Sequence, residues 1–335
     1  MFKEALNQLL NKQDLPFDSM LALMRLVMNG ELTPVQISAL LVALRMKGET
    51  IDEIAAAATV MRELSIKVAL ADTQHLVDTC GTGGDGIQTF NVSTASAFVA
   101  AAAGAKVAKH GGRSVSSTCG SADVLEALGV NVNRTPDQVA ASVDSIGIGF
   151  MFAPNHHSAM KHAAPVRREL GVRTLFNLLG PLTNPANAKR QVMGVFDKSL
   201  TTTLANVLQK LGSEHVMVVH GADGMDEISF SGDTYVSELK HGVVEEYILN
   251  PKQFGMALHD VKSIQIKDAK ASKLMVLSVL NGEHSAARDI VLLNAGAAIY
   301  VAGLANDLGT GISRATEVID SGAAFLKLEQ LKHQP

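Results

Sequence analysis

Apolar residues recur at helical spacing near the start of the chain. Ile37, Leu40, Leu41 and Leu44 follow one another at the repeat of a single helix face. Thr33-Pro34 ahead of them supplies an N-cap and a proline at the first helical position, and Gly48 a C-cap. Thr50-Ile51-Asp52-Glu53 has the form of a capping box before an alanine-rich helix from Ala55 to Leu64. The pattern predicts helices only over residues 1–70, as a small bundle with much apolar surface to set against a larger lobe or a second subunit.

The period changes near His75, where short β-type runs begin to alternate with helical ones. Strands are predicted at Leu76 to Thr79, Ala105 to Ala108, Ile148 to Phe152, Val192 to Val195 and Val216 to Val219. Helices are predicted at Ser93 to Ala103, Ala122 to Leu128, from Thr135-Pro136 onward, and at Leu200 to Leu211. This alternation predicts an α/β sheet with helices on its faces. Val236 to Leu239 and Val243 to Ile248, joined through His241-Gly242, predict an antiparallel hairpin added to it. A last long helix is expected from about Ile290 to Leu304, and no internal repeat is present.

Length, charge and cysteine use narrow the function. At 335 residues the chain is long for one compact core, and 47% hydrophobic with 19% charged residues is an ordinary globular composition. With 29 basic and 33 acidic residues the net charge is −4, without the basic excess of a nucleic-acid binder. Cys80 and Cys119 make no disulfide framework and suit a reducing compartment. Met1 to Glu4 leads into no signal-type apolar core, and the small-residue run from Ala95 to Ala103 is too short to cross a bilayer. The expectation is a soluble cytoplasmic protein with no nucleic-acid or membrane partner.

The strongest local signal is Asp78-Thr79-Cys80-Gly81-Thr82-Gly83-Gly84-Asp85-Gly86, directly after a predicted strand. Gly81, Gly83 and Gly86 match the dinucleotide fingerprint spacing, but the acidic residue that should hold a ribose farther on is replaced by the basic run Lys106 to Arg113. No Gly-Lys-Ser/Thr follows either, so the loop is not a P-loop. Consecutive glycines turn backbone N–H groups toward one point, and such a nest binds phosphate oxygens. Asn91-Val92-Ser93-Thr94 opens the next helix, whose N-terminus favours anions, and Lys109-His110-Gly111-Gly112-Arg113 ends the next strand with cations. Asp226-Glu227 follows another strand end and suits a hard cation such as magnesium. Pro154-Asn155-His156-His157 precedes a predicted helix carrying Lys161, His162, Arg167 and Arg168, with no zinc signature and no nucleophile elbow anywhere.

These segments, with Gly120 to Gly129 and Val166 to Gly180, resemble the anthranilate phosphoribosyltransferase family over nearly the whole chain. The resemblance implies a central mixed sheet flanked by helices, plus a small all-helical domain, the nucleoside-phosphorylase-like phosphoribosyltransferase architecture. Its division would place the helical domain at residues 1–70, completed by helices from about 160–190, and the α/β domain at residues 71–335. It implies transfer of the phosphoribosyl group of 5-phosphoribosyl 1-pyrophosphate to anthranilate in tryptophan biosynthesis, with magnesium, by a homodimer. Gly81, Asp85, Asn91, Ser93, Thr94 and Lys109 would hold the phosphorylated sugar, and Thr82, Gly83, Gly84, Thr89, Gly111 and Ser121 would also bind substrate. His110 and Arg167 would face anthranilate, with Pro154 and His157 near its approach. Ser93, Asp226 and Glu227 would hold the metal, and no residue would act as an acid or base.

Two positions depart from the family pattern. Gly112 stands where asparagine is usual, and Thr118 where a lysine or arginine is common, in the Gly111 to Gly120 stretch expected to close over the diphosphate. The expectation is reduced activity or a raised Michaelis constant rather than a dead enzyme. The alternatives are a nucleic-acid-binding relative of the same fold, a pyrimidine nucleoside phosphorylase, or a purely structural scaffold.

Overall fold

The computed structural model describes residues 1–113 and 119–334. Thr118 and half of the Gly111 to Gly120 stretch expected to close therefore lie outside the described residues.

The chain opens with α1 (Phe2–Leu10), α2 (Phe17–Met28), α3 (Pro34–Lys47) and α4 (Ile51–Glu63). Both predicted caps are made. Thr33 accepts from the Gln36 N–H and Thr50 from the Glu53 N–H, each in a reciprocal capping box. Glu53 does more than cap. Its fully buried carboxylate also accepts from the Leu15 N–H at 2.9 Å and from Lys47 Nζ at 2.9 Å, which ties three parts of the bundle together.

The α/β part begins with β1 (Leu76–Gly81), α5 (Val92–Ala102), β2 (Lys106–Gly111), α6 (Ser121–Ala127), α7 (Pro136–Ile146) and β3 (Ile148–Phe152). A short α8 (Ala153–His156), a 3-10 turn at Ser158–His162, α9 (Ala164–Leu170) and α10 (Phe176–Leu179) follow. The sequence predicts one helix here. Pro165 in the first turn of α9 lacks an N–H, so the helix restarts there instead of continuing through. Then come β4 (Arg190–Gly194), α11 (Leu200–Lys210), β5 (His215–Gly221), β6 (Thr234–Lys240) and β7 (Val243–Leu249). The chain closes with α12 (Ala269–Leu280), α13 (Ala286–Val301), α14 (Leu308–Asp320) and α15 (Ala323–Lys332). Thus the long apolar helix starts earlier than predicted and is not the last.

The seven strands form one mixed sheet in the order β3-β2-β1-β4-β5-β6-β7. The first five run parallel, and β6 and β7 add the predicted antiparallel hairpin through His241 and Gly242, both left-handed. Strand β5 shows why the layers form. Met217 and Val219 point into the core beneath α5 and α13, while Val216 and Val218 point into the core shared with the helical bundle. Alternate burial on two faces is the mark of a covered sheet. The bundle core also takes in Val166, Leu175, Phe176 and Leu179 from α9 and α10 and their connection.

Strand order reverses at β1, which has β2 on one side and β4 on the other. In open α/β sheets a crevice opens at the carboxyl ends of the strands beside such a point.

Candidate active site

Four strands end at this rim on a glycine: Gly81 of β1, Gly111 of β2, Gly194 of β4 and Gly221 of β5. The reason is crowding. An added Cβ at Gly81 would overlap the Asp226 carboxylate, and one at Gly194 would overlap the Asp226 backbone. At Gly111 it would meet Ser121 Oγ, and at Gly221 the Asp223 carboxylate. The rim glycines thus let loop residues pack directly against the strand ends.

The loop after β1 takes the nest conformation expected of it. Gly83, Gly84 and Gly86 have φ of 63°, 80° and 80°. Its near end is fixed by Thr82, whose N–H donates to the Gly194 carbonyl at 2.9 Å and whose hydroxyl accepts from the Phe196 N–H at 3.1 Å. Its far end is fixed at Thr89, which bridges Gln265, and at Phe90, whose N–H reaches the Ile264 carbonyl at 3.0 Å. Arg173, which sequence reasoning left unassigned, donates to the Gly84 carbonyl and stacks 4.0 Å above the Phe196 ring.

Asp226 accepts from the Gly83 N–H at 2.9 Å. Burial, and then the Asp85 carboxylate beside it, push the Asp226 carboxyl up to about 7. Burial, and then Asp226, push Glu227 well above the carboxylate range, while Lys109 pulls it back. Carboxylates crowded together without enough cationic partners bind protons or a metal ion. Among the described residues no three His, Cys, Asp or Glu side chains form a cage for a metal. The donor set nonetheless fits magnesium, which takes one or two carboxylates, keeps several waters and uses substrate phosphates.

Lys109 is buried beside this group. Its ammonium donates to the Thr79 carbonyl and to Ser93 Oγ at 3.2 Å, and burial lowers its proton affinity. Asp78, fully buried, accepts from the His110 N–H at 3.2 Å and from Asn184 Nδ2 at 2.8 Å. It therefore orients the strand that presents Lys109 and His110. Asn91 is held by Ser272, which donates to its Oδ1 at 2.7 Å, and its own Nδ2 donates to the Cys119 carbonyl at 3.1 Å. The Thr94 hydroxyl is buried and has no partner among the described residues.

His110 and His157 form a second group. Both are buried, with Nε2 atoms 3.2 Å apart and rings edge to face at 5.0 Å. Burial first, and neighbouring histidines next, lower His110 to about 3 and His157 to about 4. Both are neutral imidazoles at pH 7. Arg167 lies 5.4 Å above the Phe176 ring, and among the described residues it has no carboxylate partner. Pro154 is exposed in the first turn of α8. Contacts therefore gather Gly81, Gly83, Asp85, Ser93, Lys109, Asp226 and Glu227 into one group and His110 with His157 into another. No hydrogen bond among the described residues joins Arg167 or Pro154 to either. Gly194 and Asn184 went unassigned from sequence because nothing in their local pattern marks them, and Arg173, inside the Val166 to Gly180 segment, because its partner Gly84 is far away in the chain.

Residues 73–325 match the glycosyl transferase family, a/b domain, and residues 3–65 the glycosyl transferase family, helical bundle domain. The chain thus belongs to the glycosyl transferases that join a helical bundle to an α/β domain. It is 66% identical over 330 residues to an anthranilate phosphoribosyltransferase of Methylobacillus flagellatus, covering 98% of this chain and 97% of that one. The crystal structure of the Thermus thermophilus anthranilate phosphoribosyltransferase superposes with a TM-score of 0.92 at 42% identity, covering 98% of each chain. The Saccharomyces cerevisiae anthranilate phosphoribosyltransferase in complex with PRPP and Mg gives 0.83 at 29% identity, covering 94% of this chain and 91% of that one. The yeast protein in complex with 4-fluoroanthranilate gives 0.88 at 27%, covering 98% and 96%. Within the glycosyl transferases, the chain is a member of the anthranilate phosphoribosyltransferase family.

Proposed function

We propose that this chain transfers the 5-phosphoribosyl group of 5-phosphoribosyl 1-pyrophosphate to the amine of anthranilate, giving N-(5-phosphoribosyl)anthranilate and pyrophosphate in tryptophan biosynthesis. The observation that carries this reading is the apposition of the glycine nest to the Asp226-Glu227 carboxylates, in contact through Gly83 and Asp226. A nest offers N–H groups to phosphate oxygens, and carboxylates repel them unless a cation intervenes. Having both at one point suits a phosphate-bearing substrate that arrives with a divalent metal. The yeast relative's complex with PRPP and Mg supports the same assignment.

Asp226, Glu227 and Ser93 would hold magnesium, which when bound neutralises charge on the departing pyrophosphate. The nest glycines, Asp85, Asn91, Thr94, Lys109 and Ser121 would grip the substrate's phosphates and hydroxyls. The amine nitrogen forms its bond to ribose C1 as the C1–O bond to pyrophosphate breaks. The electron pair leaves with that oxygen, and the nitrogen, cationic once the bond has formed, releases its proton to water. By analogy with glycoside cleavage the transition state has oxocarbenium character. An aniline-type nitrogen is already neutral at pH 7, so alignment counts for more than a strong base. Alignment supplies roughly 7–11 kcal/mol in favourable cases. The neutral His110 and His157 provide a binding wall without adding charge, and leave the guanidinium of Arg167 as the partner for the anthranilate carboxylate.

The proposed division is a helical domain at residues 1–70, completed by helices from about 160–190, and an α/β domain at residues 71–335. Among the described residues no helix is long and apolar enough to cross a membrane. A cytoplasmic homodimer is proposed, joined through the helical part. Val35 and Met46 on α3 are 79% and 81% exposed, and an apolar face of that kind favours a partner. Light scattering after size exclusion should give twice the monomer mass.

Incubating the protein with both substrates and magnesium should release pyrophosphate and give a product with the mass of the phosphoribosyl conjugate. Phosphorolysis of thymidine or uridine, without that product, would replace this reading with nucleoside phosphorylase activity.

A further inference from the structure

Helix α13 buries Arg288 in its first turn and is apolar over the rest of its buried length, with one exception. Between Ile290 and Ile299 every residue is buried, and Asn294 is the single polar side chain. A primary amide in such a setting costs roughly 1–3 kcal/mol unless its hydrogen bonds are made. Both of its polar atoms are satisfied, and two of its three hydrogen bonds go to one residue. Asn294 Oδ1 accepts from the Ile228 N–H at 2.9 Å, and Nδ2 donates to the Ile228 carbonyl at 3.0 Å and to the Ile290 carbonyl at 2.9 Å. The side chain thus pairs with Ile228 as a neighbouring strand would. Ile228 directly follows Glu227, in a segment with no strand of its own. Asn294 also lines a small cavity with Glu227, Ser93 and Thr79.

We infer that Asn294 is a positioning residue for the metal carboxylates: it fixes the Glu227–Ile228 peptide and so sets where Asp226 and Glu227 point. This rests on the reading that those two carboxylates hold the divalent cation. The geometry leaves the segment little freedom elsewhere. Gly194 admits the Asp226 backbone on one side, and Gly83 holds the Asp226 carboxylate on another. Release of the Ile228 peptide is therefore the change that swings Glu227. Magnesium demands near-ideal octahedral geometry, so a small displacement of a ligand is felt in affinity. Loss of groups that orient metal ligands weakens binding roughly 10–100-fold.

The test is Mn2+ binding, read by electron paramagnetic resonance with 5-phosphoribosyl 1-pyrophosphate present. Wild type, Asn294→Ala, Asn294→Ser and Asp226→Asn are compared, each checked for folding by circular dichroism. The expected result is a roughly 10–100-fold weaker Mn2+ affinity in the Asn294 variants, with the Michaelis constant for anthranilate unchanged. Wild-type affinity in folded Asn294 variants, alongside weak binding by Asp226→Asn, overturns the inference and leaves the metal site standing. A lowered melting temperature with no change in Mn2+ affinity also overturns it, because packing alone would do that. Undiminished binding by Asp226→Asn overturns the metal reading and this inference with it. If neither Asn294 variant folds, amide exchange in the metal-free wild type decides. Protection of the Ile228 N–H comparable to that of α13 supports the clamp, and loop-like exchange refutes it.

Discussion

His110 and His157 meet through their Nε2 atoms at 3.2 Å, so one ring must donate to the other and both cannot be protonated there. The pair sits where β2 and the turn after β3 converge, and burial keeps both rings neutral.

That neutrality fixes a pH dependence. The unfolded histidines take up protons near 6.5, whereas the folded ones resist until about 3 and about 4. Between these limits the unfolded state binds more protons, so the pair's contribution to stability is full above about 6.5 and falls as pH drops. Urea midpoints should therefore decline on acidification through this window. The decline should be shallower in His157→Asn, whose side chain does not titrate.

Gly112 offers a clean test of a departure from the family pattern. Its φ lies outside the left-handed region, and among the described residues an added Cβ would meet nothing within 4 Å. Gly112→Asn should fold as well as the parent. A restored neutral hydrogen bond is worth about 0.5–1.5 kcal/mol, so kcat/KM should rise by roughly twofold to tenfold. Steady-state kinetics with both substrates varied would check this.

Gly194→Ala should do harm from outside the motifs. Its Cβ has no room beside the Asp226 backbone, so the carboxylate segment must move. Overpacking of this kind costs about 1–3 kcal/mol. The melting temperature should fall, and the magnesium concentration for half-maximal activity should rise. Gly212→Ala, at a turn far from the site, should leave the magnesium requirement unchanged.

Arg167→Ala should act on one substrate. Hydrogen bonds to a charged group are worth about 1.5–3 kcal/mol, so kcat/KM for anthranilate should drop by roughly tenfold to a hundredfold. The Michaelis constant for 5-phosphoribosyl 1-pyrophosphate should stay within about twofold, since no hydrogen bond joins Arg167 to the nest group among the described residues. Arg167→Lys should recover little, because an ammonium cannot make the two-pronged contact.

Much of the site was legible because its chemistry is local. The nest glycines, the Asn91 to Thr94 helix start, Lys109-His110 and Asp226-Glu227 each announce themselves within a few residues. The capped helices and the hairpin at His241-Gly242 were legible for the same reason. What was not legible depends on distant contacts. Gly194 matters through Asp226, Asn294 through Ile228 and Arg173 through Gly84, and each pair is far apart in sequence. Strand order is likewise set by packing, and α14 was hidden by Gly309 and Gly311, the second of which lies against Gly296 of α13. There a glycine serves close helix contact rather than a turn.

The most direct test of the proposed reaction is the fall in anthranilate fluorescence on adding 5-phosphoribosyl 1-pyrophosphate, with magnesium and with a chelator in its place. Consumption should require magnesium and be lost in Asp226→Asn. A folded wild-type protein that consumes no anthranilate, or consumes it equally well without the metal, would contradict the proposed reaction.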